Sequence, residues 1–220
     1  METDEGDLAK VVEALKRIDT YPEELGLDLT KPEGRFKWLL ASILFAKRIP
    51  VEIAKRTFKR FMEKGLTSPK ALLKAGWNKL VEVLDAGGYV RYDFSTASNL
   101  LEAMETLENL GGLEELYETS TSPVDLERRL MSLKGVGPTA VSIFLRELRG
   151  VWSKARPKLS SFALEVSRKL RLPEDLAVVL EPRLVKLFIE YCKRGRCPLC
   201  PVKNFCCEEV AKKSIGKRHG

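Results

Sequence analysis

Apolar residues recur at helical spacing along most of the chain. In LAKVVEALKRI (8–18) they fall three and four apart, and FKWLLASILFA (36–46) is apolar nearly all round, as an enclosed helix would be. Pro50 marks a turn, after which VEIAKRTFKRFMEKG (51–65) resumes an amphipathic pattern that stops at Gly65. SPKALLKAG (68–76) has a serine cap, a proline at the first helical position and a glycine stop. NKLVEVLDAGG (78–88), DFSTASNLLEAMETLENLGG (93–112) and SPVDLERRLMSLKGVG (122–137) continue the series. PTAVSIFLRELRG, SSFALEVSRKLRL and EPRLVKLFIEYCKRG complete it, without a convincing strand or internal repeat. The expected fold class is all-α, with many short helices joined by tight turns.

At 220 residues the chain suits one large domain or two small lobes, and 44% hydrophobic with 31% charged residues is the balance of a soluble globular protein. No apolar run approaches the roughly 18 residues of a membrane span. The N-terminus METDEGDLAKVVEAL is acidic and amphipathic, unlike a signal or transit sequence, so the cytoplasm is the expected compartment. The net charge of +7 is unevenly spread. Residues 31–60 carry nine Lys/Arg against two acids, and residues 146–171 and 192–220 each carry eight against two. Residues 99–127 carry eight acids and no base. One such basic segment could be a solvated helix face; three in one chain point to a phosphate backbone as partner.

All five cysteines lie in CKRGRCPLCPVKNFCC, as Cys192-x4-Cys197-x2-Cys200-x5-Cys206 with Cys207 adjacent. Cysteines this close together are poorly spaced for a disulfide framework. Structural zinc usually takes two paired Cys/His knuckles, and the one histidine, His219, stands apart in the basic tail. A compact run with one Cys-x2-Cys and two outlying cysteines suits a four-thiolate iron–sulfur cluster better, with zinc as the alternative. Cys207 competes with Cys206 for the fourth place.

LKGVGPTAVSIFL (133–145) sets Gly-Val-Gly between two apolar stretches. Nucleotide-binding glycine loops follow a strand and carry a third glycine or a Gly-Lys-Ser ending, and neither is present. The turn is either an ordinary helix–helix connection or a phosphate cradle. In a cradle, Gly135 and Gly137 let backbone amides and the next helix N-terminus face one phosphate, and Pro138 costs that helix little.

Taken together, LKGVGPTA, the cysteine run and FKWLLASILFAKRIP resemble the helix-hairpin-helix DNA glycosylase superfamily, specifically the iron–sulfur branch containing endonuclease III. The resemblance covers nearly the whole chain, although the first cysteine gap, four residues, is shorter than that family's. It implies two helical lobes flanking a DNA cleft. Residues 31–150 would form a six-helix barrel ending in the hairpin, and residues 1–30 with 151–220 a discontinuous cluster lobe. It implies a [4Fe-4S] cluster on Cys192, Cys197, Cys200 and Cys206, and a monovalent cation at the hairpin. The partner would be double-stranded DNA, bound by a nucleoid-associated monomer with no membrane contact. Lys134, Gly135, Val136, Gly137 and Thr139 would hold a DNA phosphate. Lys47, where relatives often fill the gap left by an extruded base, and Arg48 would contact DNA, as would Arg91, Lys154, Arg156 and Lys158. Lys193, Arg194 and Arg196 of the cluster loop would join them.

The chain departs from that family where chemistry is expected. Lyase members carry a nucleophilic lysine two residues after the second glycine, and here that position is Thr139. The family's aspartate falls by straight counting on Pro157, and by helix matching on Ser160. A hydroxyl offers a dipole, not a full charge, toward a developing sugar cation. The candidate catalytic residues are therefore Asp93, Ser160 and Thr139. Asp93 is either a relocated acid or the cap of the helix that follows it. Tyr89 and Tyr92 are either a stacking pocket for a flipped base or part of the core. Two functions result: a monofunctional DNA N-glycosylase acting on a damaged base, with an alkylated purine the best leaving group, or a non-catalytic reader of damaged or distorted DNA.

Overall fold

A computed structural model describes residues 2–206, with side chains from Gly6 onward. All regular structure among them is helical. The chain divides into two compact units. One is continuous, Leu25–Pro157; the other joins the residues up to Glu24 with those from Lys158 onward. The continuous unit extends beyond residues 31–150 at both ends.

Packing gives the reason. Arg35 is buried and donates to the carbonyls of Leu29 and Thr30 at 3.0 and 2.8 Å. It also grips the Glu114 carboxylate through Nε and Nη2 at 2.9 and 2.6 Å, so the turn before residue 31 belongs to the continuous unit. At the other end Trp152 stacks on Tyr117 with ring centroids 4.3 Å apart and meets Phe144 edge-on at 5.6 Å.

Helices α1 (Glu2–Lys16) and α2 (Tyr21–Glu24) belong to the discontinuous unit. The continuous unit holds α3 (Pro32–Phe45), α4 (Val51–Glu63), α5 (Pro69–Gly87) and α6 (Asp93–Asn109), followed by α7 (Leu113–Glu118), α8 (Pro123–Met131) and α9 (Pro138–Arg146). The all-round apolar character of α3 is explained by its neighbours, since α4, α7 and α9 all pack on it. Trp38 is fully buried there and donates its indole N–H to the Phe144 carbonyl at 3.3 Å. Ser68 caps α5 as its sequence predicts, and Ser122 caps α8 in the same way, accepting from Ala71 and Asp125 amides at 3.2 and 3.1 Å. Where two helices were expected across residues 68–88, α5 is broken at Gly76, whose φ of +73° interrupts the helix. Gly87 lets α4 and α5 approach closely: a Cβ there would lie 2.2 Å from the Thr57 hydroxyl.

In the discontinuous unit α10 (Ser161–Lys169), α11 (Glu174–Val179) and α12 (Glu181–Leu187) lead into a π-helical turn, Phe188–Cys192. Short 3₁₀ turns follow at Cys197–Leu199 and Lys203–Phe205. Val11 and Leu15 of α1 pack with Ala163, Val166, Leu184 and Leu187 into one core. The buried Lys186 ties α2 to α12, donating to the Asp19 carbonyl and pairing with Glu24 at 2.6 and 2.7 Å. No helix among the described residues is long and apolar enough to cross a membrane.

Candidate functional site

The turn between α8 and α9 is pinned from below and open above. Leu133 and Val136 are buried, and the Val136 amide donates to the Leu133 carbonyl at 3.0 Å. Lys134, Pro138 and Thr139 are exposed. Gly135 has a φ of +77°, and a Cβ on it would stand 2.9 Å from that of Asn99 on α6. Glycine is therefore required there by conformation and by space. Gly137 differs. Its φ of −94° and ψ of 179° are open to any residue, and nothing lies within 4 Å of where its Cβ would be. The fold does not need that glycine, contrary to the expectation that both glycines make the turn. No side chain caps α9, and its first helical bond runs from Val141 to Gly137, so the Thr139 and Ala140 amides precede it. Lys134 lies 3.6 Å from Glu102, an exposed pair of small energetic weight.

A second cluster forms where α3 ends. The Tyr89 hydroxyl donates to the Leu44 carbonyl at 2.8 Å, joining the C-terminal end of α3 to the turn between α5 and α6. Lys47 and Arg48 just past that end make no ion pair with any described residue, and Arg91 on that turn lies 5.5 Å over the Tyr92 ring. The expected base pocket needs correction at Tyr89. At 1% exposure it is core, and burial pushes its hydroxyl well above the ordinary phenol range. Tyr92 is half-buried and meets Tyr89 edge-on at 6.2 Å.

Asp93 is 8% exposed and begins α6, its carboxylate accepting from the Phe94 amide at 2.6 Å. Its other neighbour is Asp85. A hydrogen bond to Asp93, with some desolvation and like-charge repulsion, holds the Asp85 carboxyl above its usual range. Ser160 caps α10, its hydroxyl accepting from the Ala163 amide at 3.2 Å. Its own amide donates to Glu181 Oε1 at 2.9 Å, and Glu181 is fully buried. Sequence reasoning passed over Glu181, since an acid in the first turn of α12 is ordinary. Only its burial marks it.

Lys154 also departs from expectation. Its ammonium donates to the carbonyls of Tyr117, Glu118 and Ser120 at 2.6, 3.2 and 2.7 Å and lies 4.4 Å over the Tyr117 ring. It closes the C-terminal end of α7 and is committed to that task. Arg156 donates to the nearby Ser153 carbonyl at 3.0 Å and is exposed, as is Lys158.

The cysteine loop is rooted in the core of the discontinuous unit through Cys200 and Val202. Cys192 and Cys206 are half-buried and Cys197 is exposed. Burial raises the Cys206 thiol to about 11, and the charges of Cys200, Cys192 and Cys197 add to the shift. Burial likewise raises Cys192 and Cys200. Among the described residues no group of three or more His, Cys, Asp or Glu is arranged to hold a metal ion. A single zinc would need its thiolates about 4 Å apart, whereas a four-iron cube holds them wider. Lys169 faces this loop. Burial opposes its charge, but the Glu165 carboxylate at 2.6 Å and the Cys192 and Cys206 thiols outweigh that and raise it. Lys193, Arg194 and Arg196 are exposed on the same loop. Cys207 lies outside the described residues. No protein-family model matches the chain, and no curated protein sequence matches it.

Proposed function

We propose that the protein binds double-stranded DNA through the turn at residues 133–139 and acts as a monofunctional DNA N-glycosylase of the helix-hairpin-helix type in base-excision repair. The observation that carries the reading is Gly137: a glycine the fold does not use, beside free amides, leaving open the space a phosphate oxygen would need. Base loss would proceed by departure of the base with the glycosidic electron pair while water adds to the sugar carbon and gives up a proton. Thr139 has no amine, so the sugar is not captured covalently and the strand is left intact. With serine at 160, the substrate supplies the driving force, and a cationic alkylated purine leaves as a neutral base.

Cys192, Cys197, Cys200 and Cys206 would hold a [4Fe-4S] cluster, whose bonds to thiolate would fix the loop that presents Lys193, Arg194 and Arg196. Four thiols within one short loop that is rooted in the core at Cys200 support that donor set.

A second reading, a non-catalytic reader of damaged DNA, is favoured by the engagement of both candidate polar groups, Ser160 as a cap and Asp93 with Phe94 and Asp85. One experiment separates the two. The protein is incubated with alkylated and with deaminated duplex DNA, and released bases are identified by mass spectrometry. A free base with an intact strand establishes the glycosylase. Tight binding with no base released from either substrate establishes the reader.

A further inference from the structure

The continuous unit carries an exposed aromatic surface that the reading above does not use. The break in α5 at Gly76 turns Trp77 outward, where it is 40% exposed. Phe94, in the first turn of α6, is 59% exposed, and the two rings lie 5.4 Å apart at 33°. The Trp77 indole N–H donates to Ser98 Oγ at 3.0 Å, which fixes the ring while leaving much of its surface in water. Val90 and Arg91, a few residues before Phe94 in sequence, are exposed as well. Leaving two packed aromatic rings this open to water is costly unless something covers them.

Helix α6 relates this surface to the hairpin. Trp77 is tied to Ser98, and Gly135 packs on Asn99, the very next residue. Phe94 precedes Asn99 by five positions, about 7.5 Å along a helix and about 140° around it. The rings and the turn thus share α6 through its adjacent residues Ser98 and Asn99. Flat aromatic faces with an arginine close by in sequence suit a nucleobase.

We infer that Trp77 and Phe94 form a stacking platform for an unpaired base of the strand held by the hairpin. The inference rests on the DNA-binding reading and adds to it a subsite for unstacked bases. A paired base keeps its faces covered, so the platform discriminates in favour of DNA with an unpaired or extruded base.

Tryptophan fluorescence isolates the site, because Trp38 is fully buried and Trp152 is 3% exposed, leaving Trp77 as the exposed tryptophan of the chain's three. Full-length protein is titrated with two labelled duplexes, one fully paired and one with a single bulged thymine. Binding is read by anisotropy of the label and Trp77 accessibility by acrylamide quenching. The bulged duplex should shield Trp77, and Trp77→Ala should weaken its binding about tenfold. Trp77→Phe should retain most of that affinity, and the paired duplex should be held equally by all three proteins. Binding of both duplexes with Trp77 still accessible and Trp77→Ala unchanged would overturn the platform while leaving the DNA reading intact. No binding of either duplex would overturn both. Shielding that grows with protein concentration without DNA would assign the surface to a second copy of the chain instead.

Discussion

The two glycines of the turn between α8 and α9 make a controlled comparison, because one serves the fold and the other does not. Gly135 needs its positive φ and its closeness to Asn99, so Gly135→Ala should destabilise the protein by about 1–3 kcal/mol, read by denaturant unfolding. Gly137→Ala should leave the unfolding curve unchanged, since its conformation is ordinary and its Cβ would meet nothing within 4 Å. If a phosphate approaches there, the same change should weaken duplex binding about tenfold, the worth of one charge-assisted hydrogen bond. Equal affinity for DNA in the Gly137→Ala protein would remove the main support for a phosphate cradle. The acids allow a similar separation. Asp85 is held above its ordinary range by Asp93, so the native state carries a proton that the unfolded chain loses first. The pair therefore favours folding below the ordinary carboxyl range and opposes it as pH rises through Asp85's raised value. Asp93→Asn should raise the melting temperature at neutral pH, with the gain fading in acid. A relocated catalytic acid predicts in addition that base release is lost in this variant; a merely structural pair predicts that it is kept.

At the scale of elements, caps and breaks account for most of what the sequence made readable. Ser68 and Ser122 with their following prolines started α5 and α8 where expected, and the Gly76 break was legible as a glycine stop between two apolar patterns. The turn between α8 and α9 was legible because apolar Leu133 precedes its glycines and apolar Val136 sits between them, and both are buried. What remained hidden depends on neighbours distant in the chain. Lys154 reads as a free cation until three carbonyls from α7's end surround it, and Tyr89 reads as a stacking ring until Leu44 takes its hydroxyl. Glu181 and the exposure of Trp77 likewise follow from packing that no local pattern encodes. Ser160 is the element-scale test of chemistry against architecture. As an N-cap whose hydroxyl accepts from Ala163, Ser160→Ala should cost about 1 kcal/mol, measured by thermal unfolding. Ser160→Asp should keep the cap, so a gain in base release by that variant would mean that the lack of a carboxylate at this position limits the reaction.

For the whole molecule, the separation of charge along the chain becomes meaningful once committed and uncommitted cations are distinguished. Lys154 is committed to carbonyls, Lys186 to Asp19 and Glu24, and Arg35 to Glu114. Lys47, Arg48, Lys158, Lys193, Arg194 and Arg196 make no ion pair with any described residue. Both units contribute to the second group, and in the proposed DNA-binding reading each such cation would meet a backbone phosphate. Each phosphate neutralised releases condensed counterions, which makes binding weaken steeply as salt rises. Replacing one uncommitted cation, as in Arg194→Ala, should therefore lower the slope of log affinity against log salt by about one while leaving stability unchanged. Lys154→Ala should do the reverse, lowering stability through the exposed end of α7 and leaving the slope alone. If instead the two variants shift the slope equally, the net charge of +7 acts as a diffuse field and not through the particular side chains the fold leaves free.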